Sequence, residues 1–205
     1  MTSKNQLSTP AIIGIATLLA SMIVLTAFIL AGWNEQGATL AARYTARHSF
    51  YWFMAAWSAS ALAQTWPGGW RLTLVRRRRA LGLSFAAAHS VHLLALLTAI
   101  MGFGHPSNMI SIVGGGIGYV LIFAMAATSN DAAVKALGAK RWQLLHRLGG
   151  YFLIGIFIFD YGGSFATRPF AAVPALAVIA TTLFLKARIW RQSRQRNARK
   201  MAEQL

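Results

Sequence analysis

Six apolar stretches, each about 18 to 23 residues long, recur along this 205-residue chain and leave little between them but connections. An α-helix rises 1.5 Å per residue, so about 20 apolar residues are needed to cross the ~30 Å hydrocarbon core of a bilayer. The stretches run from about Ala11 to Trp33, His48 to Trp66, Leu81 to Phe103, Met109 to Thr128, Leu144 to Tyr161 and Phe170 to Ala187. Turn-forming residues break them apart, as in Trp66-Pro67-Gly68-Gly69, Gly104-His105-Pro106, Ser129-Asn130-Asp131 and Gly162-Gly163. The pattern predicts an all-α fold, a six-helix transmembrane bundle forming one integral membrane domain over residues 1–205, with a basic cytoplasmic tail at 188–205. Only Lys4 precedes the first stretch as a basic residue and no convincing small-residue cleavage site follows it, so it reads as a retained helix.

Charge then orients the bundle. Lys and Arg number 20 against four acids, a formal net charge of +16. In a soluble protein that balance would point to nucleic acid. Here only 12% of residues are charged, against about 25% in a soluble domain, and the cations flank apolar blocks, which points to lipid headgroups and away from nucleic acid. If six helices alternate, Lys4, Arg71, Arg76 to Arg79, Lys135, Lys140, Arg141, Arg147 and the seven basic residues from Lys186 to Lys200 fall on one side. Only Arg43, Arg47 and Arg168 fall on the other. Positive residues stay cytoplasmic, so both termini are expected inside. The tail, with Trp190 among its arginines, is expected to lie along the anionic inner surface.

The chain has no cysteine, which removes disulfides, Cys-ligated iron–sulfur clusters and covalently attached haem. Its histidines remain. An ionisable side chain inside a membrane helix is costly and calls for a partner or a function. His89 and His92, three residues apart on the third helix, share a face about 4.5 Å apart along the axis. They lie roughly 15–20 Å along the helix beyond Arg79, near mid-bilayer. His146 stands near the cytoplasmic start of the fifth helix, in Trp142-Gln143-Leu144-Leu145-His146-Arg147. Both helices run outward, so their imidazoles can face one another. Two imidazoles from facing helices make a six-coordinate, low-spin haem iron suited to electron transfer. Arg79 or Arg147 would pair with its propionates. Buried histidines also occur simply as hydrogen-bonded core residues, and that reading stays open on spacing alone.

The stretch Arg78-Arg79-Ala80-Leu81-Gly82-Leu83-Ser84-Phe85-Ala86-Ala87-Ala88-His89-Ser90-Val91-His92-Leu93 resembles the third-helix signature of the ferric reductase-like transmembrane family. Thr128-Ser129-Asn130-Asp131, Leu137-Gly138 and Trp142-Gln143-Leu144-Leu145-His146-Arg147-Leu148 resemble its later signature, and the similarity covers roughly 45–161. The family takes in ferric reductases, the membrane halves of NADPH oxidases and the haem membrane subunit of bacterial periplasmic methionine sulfoxide reductase systems. The resemblance implies b-type haem held by two histidines between the third and fifth helices, with electrons passing outward. Carried over, His92 matches the third-helix ligand, His89 its alternative, and His146 the proximal fifth-helix ligand. Two-haem relatives carry another fifth-helix histidine 13 or 14 residues on, where this chain has Phe159 and Asp160. One haem b is therefore expected and a second, outer one is left in question, with His105 and His48 its remaining ligand candidates. An interfacial histidine without a ligand role is the competing reading of both.

Asp160 reads either as a proton acceptor beside a quinol site or as an ion-pair partner of Arg168 or Arg47. Gly114-Gly115-Gly116 and Gly118 permit close helix approach. The expected function is a membrane b-type cytochrome, an electron-transfer oxidoreductase subunit rather than a self-contained enzyme. The larger relatives carry flavin and nicotinamide modules after the sixth helix, and this chain ends 18 residues after Ala187. Electrons are thus expected from a quinone-pool quinol or a separate flavin reductase, any flavin coming only with that partner. They would leave to an extracytoplasmic acceptor, such as a redox partner protein. A proton-coupled small-molecule transporter and a haem-free structural subunit are the other classes the composition admits.

Overall fold

The computed structural model describes residues 7–203, so Lys4 lies outside the described residues. Among them the chain is helical with no strands. Its elements are α1 (Thr9–Ala31), α2 (Glu35–Thr65), α3 (Gly69–Arg76), α4 (Arg78–Leu97), α5 (Met109–Ala127), α6 (Asp131–Leu137), α7 (Ala139–Gly163) and α8 (Pro169–Ala202). A π-helical turn, Thr98–Gly102, extends α4. Side-chain caps start four of these. Ser8 accepts from Ala11 N–H, Asn34 from Gly37, Asn108 from Ser111 and Asn130 from Ala133, each satisfying a backbone donor that has no partner within the helix. Gly138, at φ 76°, turns the chain between α6 and α7, a conformation that a side chain would strain.

Five helices, α1, α4 with its π turn, α5, α7 and α8, are long and apolar enough to cross a membrane. The sixth long helix, α2, has the length at 31 residues but carries Glu35, Arg43, Arg47 and His48. It also begins 13 residues before the predicted start at His48. The intervening residues look like a loop because of their charges, yet Ala38, Ala41 and Ala42 bury completely or nearly so, Ala41 and Ala42 packing with Ala27 of α1 and Ala95 of α4. Burial of this small-residue stripe makes the segment helical, and local polarity does not prevent it.

The basic tail is another difference. α8 runs without a break for 34 residues through Pro174 to Ala202, about 51 Å. At that length α8 exceeds the ~30 Å core, and the basic stretch 188–202 belongs to the same helix as the apolar stretch before it.

α2 is the hub, packing against α1, α3, α4 and α8, while α7 packs against α5, α6 and α8. The main core joins Phe50, Phe53, Met54 and Trp57 of α2 to Phe85 of α4, Ile122 of α5, Leu153, Ile154 and Phe157 of α7, and Ile179 of α8. Two α7 glycines set the contacts: a Cβ at Gly150 would stand 3.1 Å from the Trp57 indole nitrogen, and one at Gly149 would be 2.7 Å from Met125 Sδ. On α5 only Gly118 serves close approach, against Ile156, while Gly114, Gly115 and Gly116 have open space beside them. Outward, α1 exposes Leu18, Met22, Leu25 and Ile29, a continuous apolar surface suited to lipid.

Candidate functional site

α2 and α4 run antiparallel, and their register pairs a hydroxyl with each α4 histidine. Ser49 Oγ lies 2.8 Å from His89 Nδ1 and Thr45 Oγ1 lies 3.3 Å from His92 Nδ1. Both hydroxyls spend their own proton on backbone carbonyls one turn back, Ser49 on Ala46 at 2.9 Å and Thr45 on Ala41 at 2.7 Å. With those protons on the carbonyls, each hydroxyl oxygen can accept from an Nδ1–H, the tautomer that keeps the Nε2 lone pair available. The two rings sit 4.8 Å apart, and His89 is further held between Phe85 at 5.1 Å and a stacked Tyr119 at 5.0 Å. The Tyr119 hydroxyl donates to the His89 carbonyl at 3.3 Å.

Between α4 and α7 lies a cavity of about 630 Å³, within the range of small-molecule and cofactor sites. Phe53, Trp57, Phe85, Ile122 and Met125 give it apolar walls, and Arg78, Arg79, Arg147 and Lys186 line it with cations; no carboxylate lines it. His146 projects from the α7 wall beside Trp142, their rings 4.2 Å apart. Trp142 is itself anchored by donating to the Thr128 carbonyl at 2.9 Å. The Thr128 hydroxyl reaches His146 Nε2 at 3.4 Å, a distance at which it orients the ring without holding it firmly. Lys186 Nζ stands 4.3 Å above the Trp57 ring, a cation–π contact that keeps the ammonium in the cavity wall.

The structure thus brings His146, Arg79 and Arg147 to one cavity. His89 and His92 do not line it. They continue the same face of α4, since Arg78, Gly82, Phe85 and His89 follow the spacing of one helical stripe, and His89 is the rung directly above Phe85. Arg79 is also tied to Asp131 by an ion pair, which pins the start of α6 beside the cavity; that guanidinium holds the exposed carboxyl below its ordinary range, chiefly through the hydrogen bond and then through charge.

The remaining candidates lie elsewhere. His105 Nδ1 meets Glu35 Oε1 at 2.9 Å, with Thr39 at 3.5 Å, joining the chain beyond the π turn to the start of α2. His48 Nε2 lies 3.0 Å from the Ala16 carbonyl and 3.1 Å from the Trp52 indole nitrogen, inside the α1–α2 contact. Asp160 is exposed near the end of α7, and among the described residues neither Arg168 nor Arg47 is within 4 Å of it. That removes the predicted direct ion pair.

Sequence reasoning missed Ser49 and Thr45. A hydroxyl pair four apart, facing a histidine pair three apart on an antiparallel helix, is a legible signal once the two helices are known to be neighbours. Trp57 and Lys186 gave no such signal, because they meet only through the packing of α2 on α8.

Fold and site together define an integral membrane protein, all-helical, with a histidine-bearing cavity of apolar wall and cationic lining. Over 82 residues the chain is 46% identical to the protein-methionine-sulfoxide reductase heme-binding subunit MsrQ of Polaromonas naphthalenivorans, which is 37% of each chain. It is 35% identical over 126 residues to the protein of that name from Ralstonia nicotianae, 57% of this chain and 56% of that one. For the Azospira oryzae protein of the same name the figure is 38% over 87 residues, 38% and 36% of the two chains. The matched regions therefore span between about a third and just over half of these relatives. No family model matches the chain and no solved structure matches it significantly. These partial matches agree with the resemblance to haem membrane subunits read from the sequence.

Proposed function

We propose that the chain is a haem-binding, electron-transferring membrane subunit, as its relatives are named for binding heme. The observation that carries the reading is the cavity between α4 and α7, with His146 in its wall and His89 on the rung above. Its donor set suits a b-type haem. Phe53, Phe85 and Ile122 offer apolar surface to a flat macrocycle, while Arg78, Arg79, Arg147 and Lys186 offer charge to two carboxylates with no competing acid in the lining. When bound, haem supplies a one-electron carrier that changes state with little rearrangement.

The chain's own residues do the rest. His146 and one α4 histidine would hold the haem iron through their imidazole nitrogens. Of the two predicted, the helical stripe favours His89 over His92, because His89 borders the cavity-lining Phe85. Ser49 and Thr45 hold the Nδ1 protons, so that each Nε2 presents a lone pair. The aromatic walls exclude water.

All six long helices cross the membrane in this reading, with both termini cytoplasmic, because 17 of the 20 cations then lie inside. The membrane is the bacterial inner membrane. Electrons enter from a quinol or a separate flavin reductase and leave to an extracytoplasmic acceptor, a methionine sulfoxide reductase being the partner that the relatives' name suggests. The test is optical: purified protein should show a Soret band and a reducible α-band, with the low-spin signal lost in His146→Ala and in His89→Ala. An optically silent preparation after haem supplementation overturns the reading. Loss in His92→Ala with retention in His89→Ala moves the ligand one turn outward.

A further inference from the structure

The three cations that stand apart from the other 17 fall at one end of the bundle. Arg43 and Arg47, one turn apart on α2, share a face. Tyr161, near the end of α7, packs its ring 5.1 Å from that of Phe50 on the next turn of α2, and α8, which Arg168 precedes, packs against α2, so the charge of Arg168 reaches Arg43 together with that of Arg47. Three guanidinium groups repel one another, and among the described residues none has a carboxylate within 4 Å. The charge of Arg47 reaches Tyr161, as does that of Asp160, so the nearest acid borders the cluster without neutralising it. Arg47 instead lies over the Tyr44 ring, 5.2 Å from its centre, and Tyr51 adds a second exposed ring one turn further along α2. Aromatic rings with a polar tip favour the headgroup boundary.

We infer that Arg43, Arg47 and Arg168 form a binding site for the phosphate group of an anionic phospholipid. The neighbouring rings favour a lipid over a soluble acidic protein. Arg43 and Arg47 stand within the long helix α2, which the reading above takes across the membrane, and Tyr44 and Tyr51 beside them suit the headgroup boundary, where extended arginine side chains reach a phosphate. Basic pockets between membrane helices bind such headgroups, and the first N–H groups of α8, beside Arg168, add a positive helix end. That the site belongs to the outer leaflet rests on the orientation proposed above; the convergence of the three arginines does not.

The test uses the full chain in phosphatidylcholine nanodiscs containing a minor fraction of phosphatidylglycerol with a photo-crosslinker beside its phosphate. Label should appear on the first half of α2 and on 164–168, and should fall on the order of tenfold in an Arg43→Gln/Arg168→Gln double variant. Label on the basic stretch 186–200 should stay constant, which controls for insertion and folding. Equal labelling by a crosslinking phosphatidylcholine, or no fall in the variant, overturns the site. Displacement of the label by inorganic phosphate reassigns it to the free anion, and displacement by polyglutamate to an acidic protein; either result overturns the lipid assignment. Haem content is not read, so failure here is separable from failure of the cytochrome reading.

Discussion

Ser49 Oγ lies 2.8 Å from His89 Nδ1 and 2.9 Å from the Ala46 carbonyl to which it donates. One small side chain thereby meets an imidazole 40 residues away in a position to accept its Nδ1 proton. Removing the hydroxyl in Ser49→Ala should lower haem affinity by roughly 10- to 100-fold, as expected for loss of a ligand's hydrogen-bond partner, with Ser49→Thr retaining more. Haem titration of the apoprotein reads the difference. Equal affinity in all three would remove Ser49 from the site.

His48 and His105 are each engaged elsewhere, His48 with α1 and Trp52 and His105 with Glu35. His48→Ala and His105→Ala should therefore leave the low-spin spectrum and haem stoichiometry unchanged. A halved stoichiometry in either variant would reveal a second haem.

Gly150 packs against Trp57, which is hemmed in by Phe53, Tyr151 and Lys186. Gly150→Leu should drive the indole toward the cavity it lines or push α7 from α2, at a cost of about 1–3 kcal/mol. Phe85→Ala empties a buried ring position that the packing fills from two sides, and about 3–5 kcal/mol is expected. Thermal unfolding in detergent checks both, and transitions within a degree of the parent would contradict this packing account.

The Asp131 carboxyl is held low by Arg79. A depressed folded-state value means that the pair's contribution is complete above the ordinary Asp range, about 3.9, and is lost as pH falls through the lowered value. Asp131→Asn should thus speed proteolytic nicking of the α5–α7 connection at neutral pH, and the difference from the parent should vanish under strongly acidic conditions with an acid-active protease. The effect is small, because the pair is exposed to water.

What the sequence determined by itself is what depends on the length of its apolar runs and on which residues interrupt them. Apolar runs long enough to cross hydrocarbon mark their helices in any context, and the histidines of α4 and α7 stand out because imidazole in an apolar run is rare. Tertiary structure decided what depends on neighbours. The start of α2 became helix because Ala38, Ala41 and Ala42 found α1 and α4 to pack on, a gain no local pattern displays. It also decided that Ser49 meets His89 and that Lys186 meets Trp57. Those residues are far apart in sequence, and only the register and tilt of packed helices bring them within reach of each other.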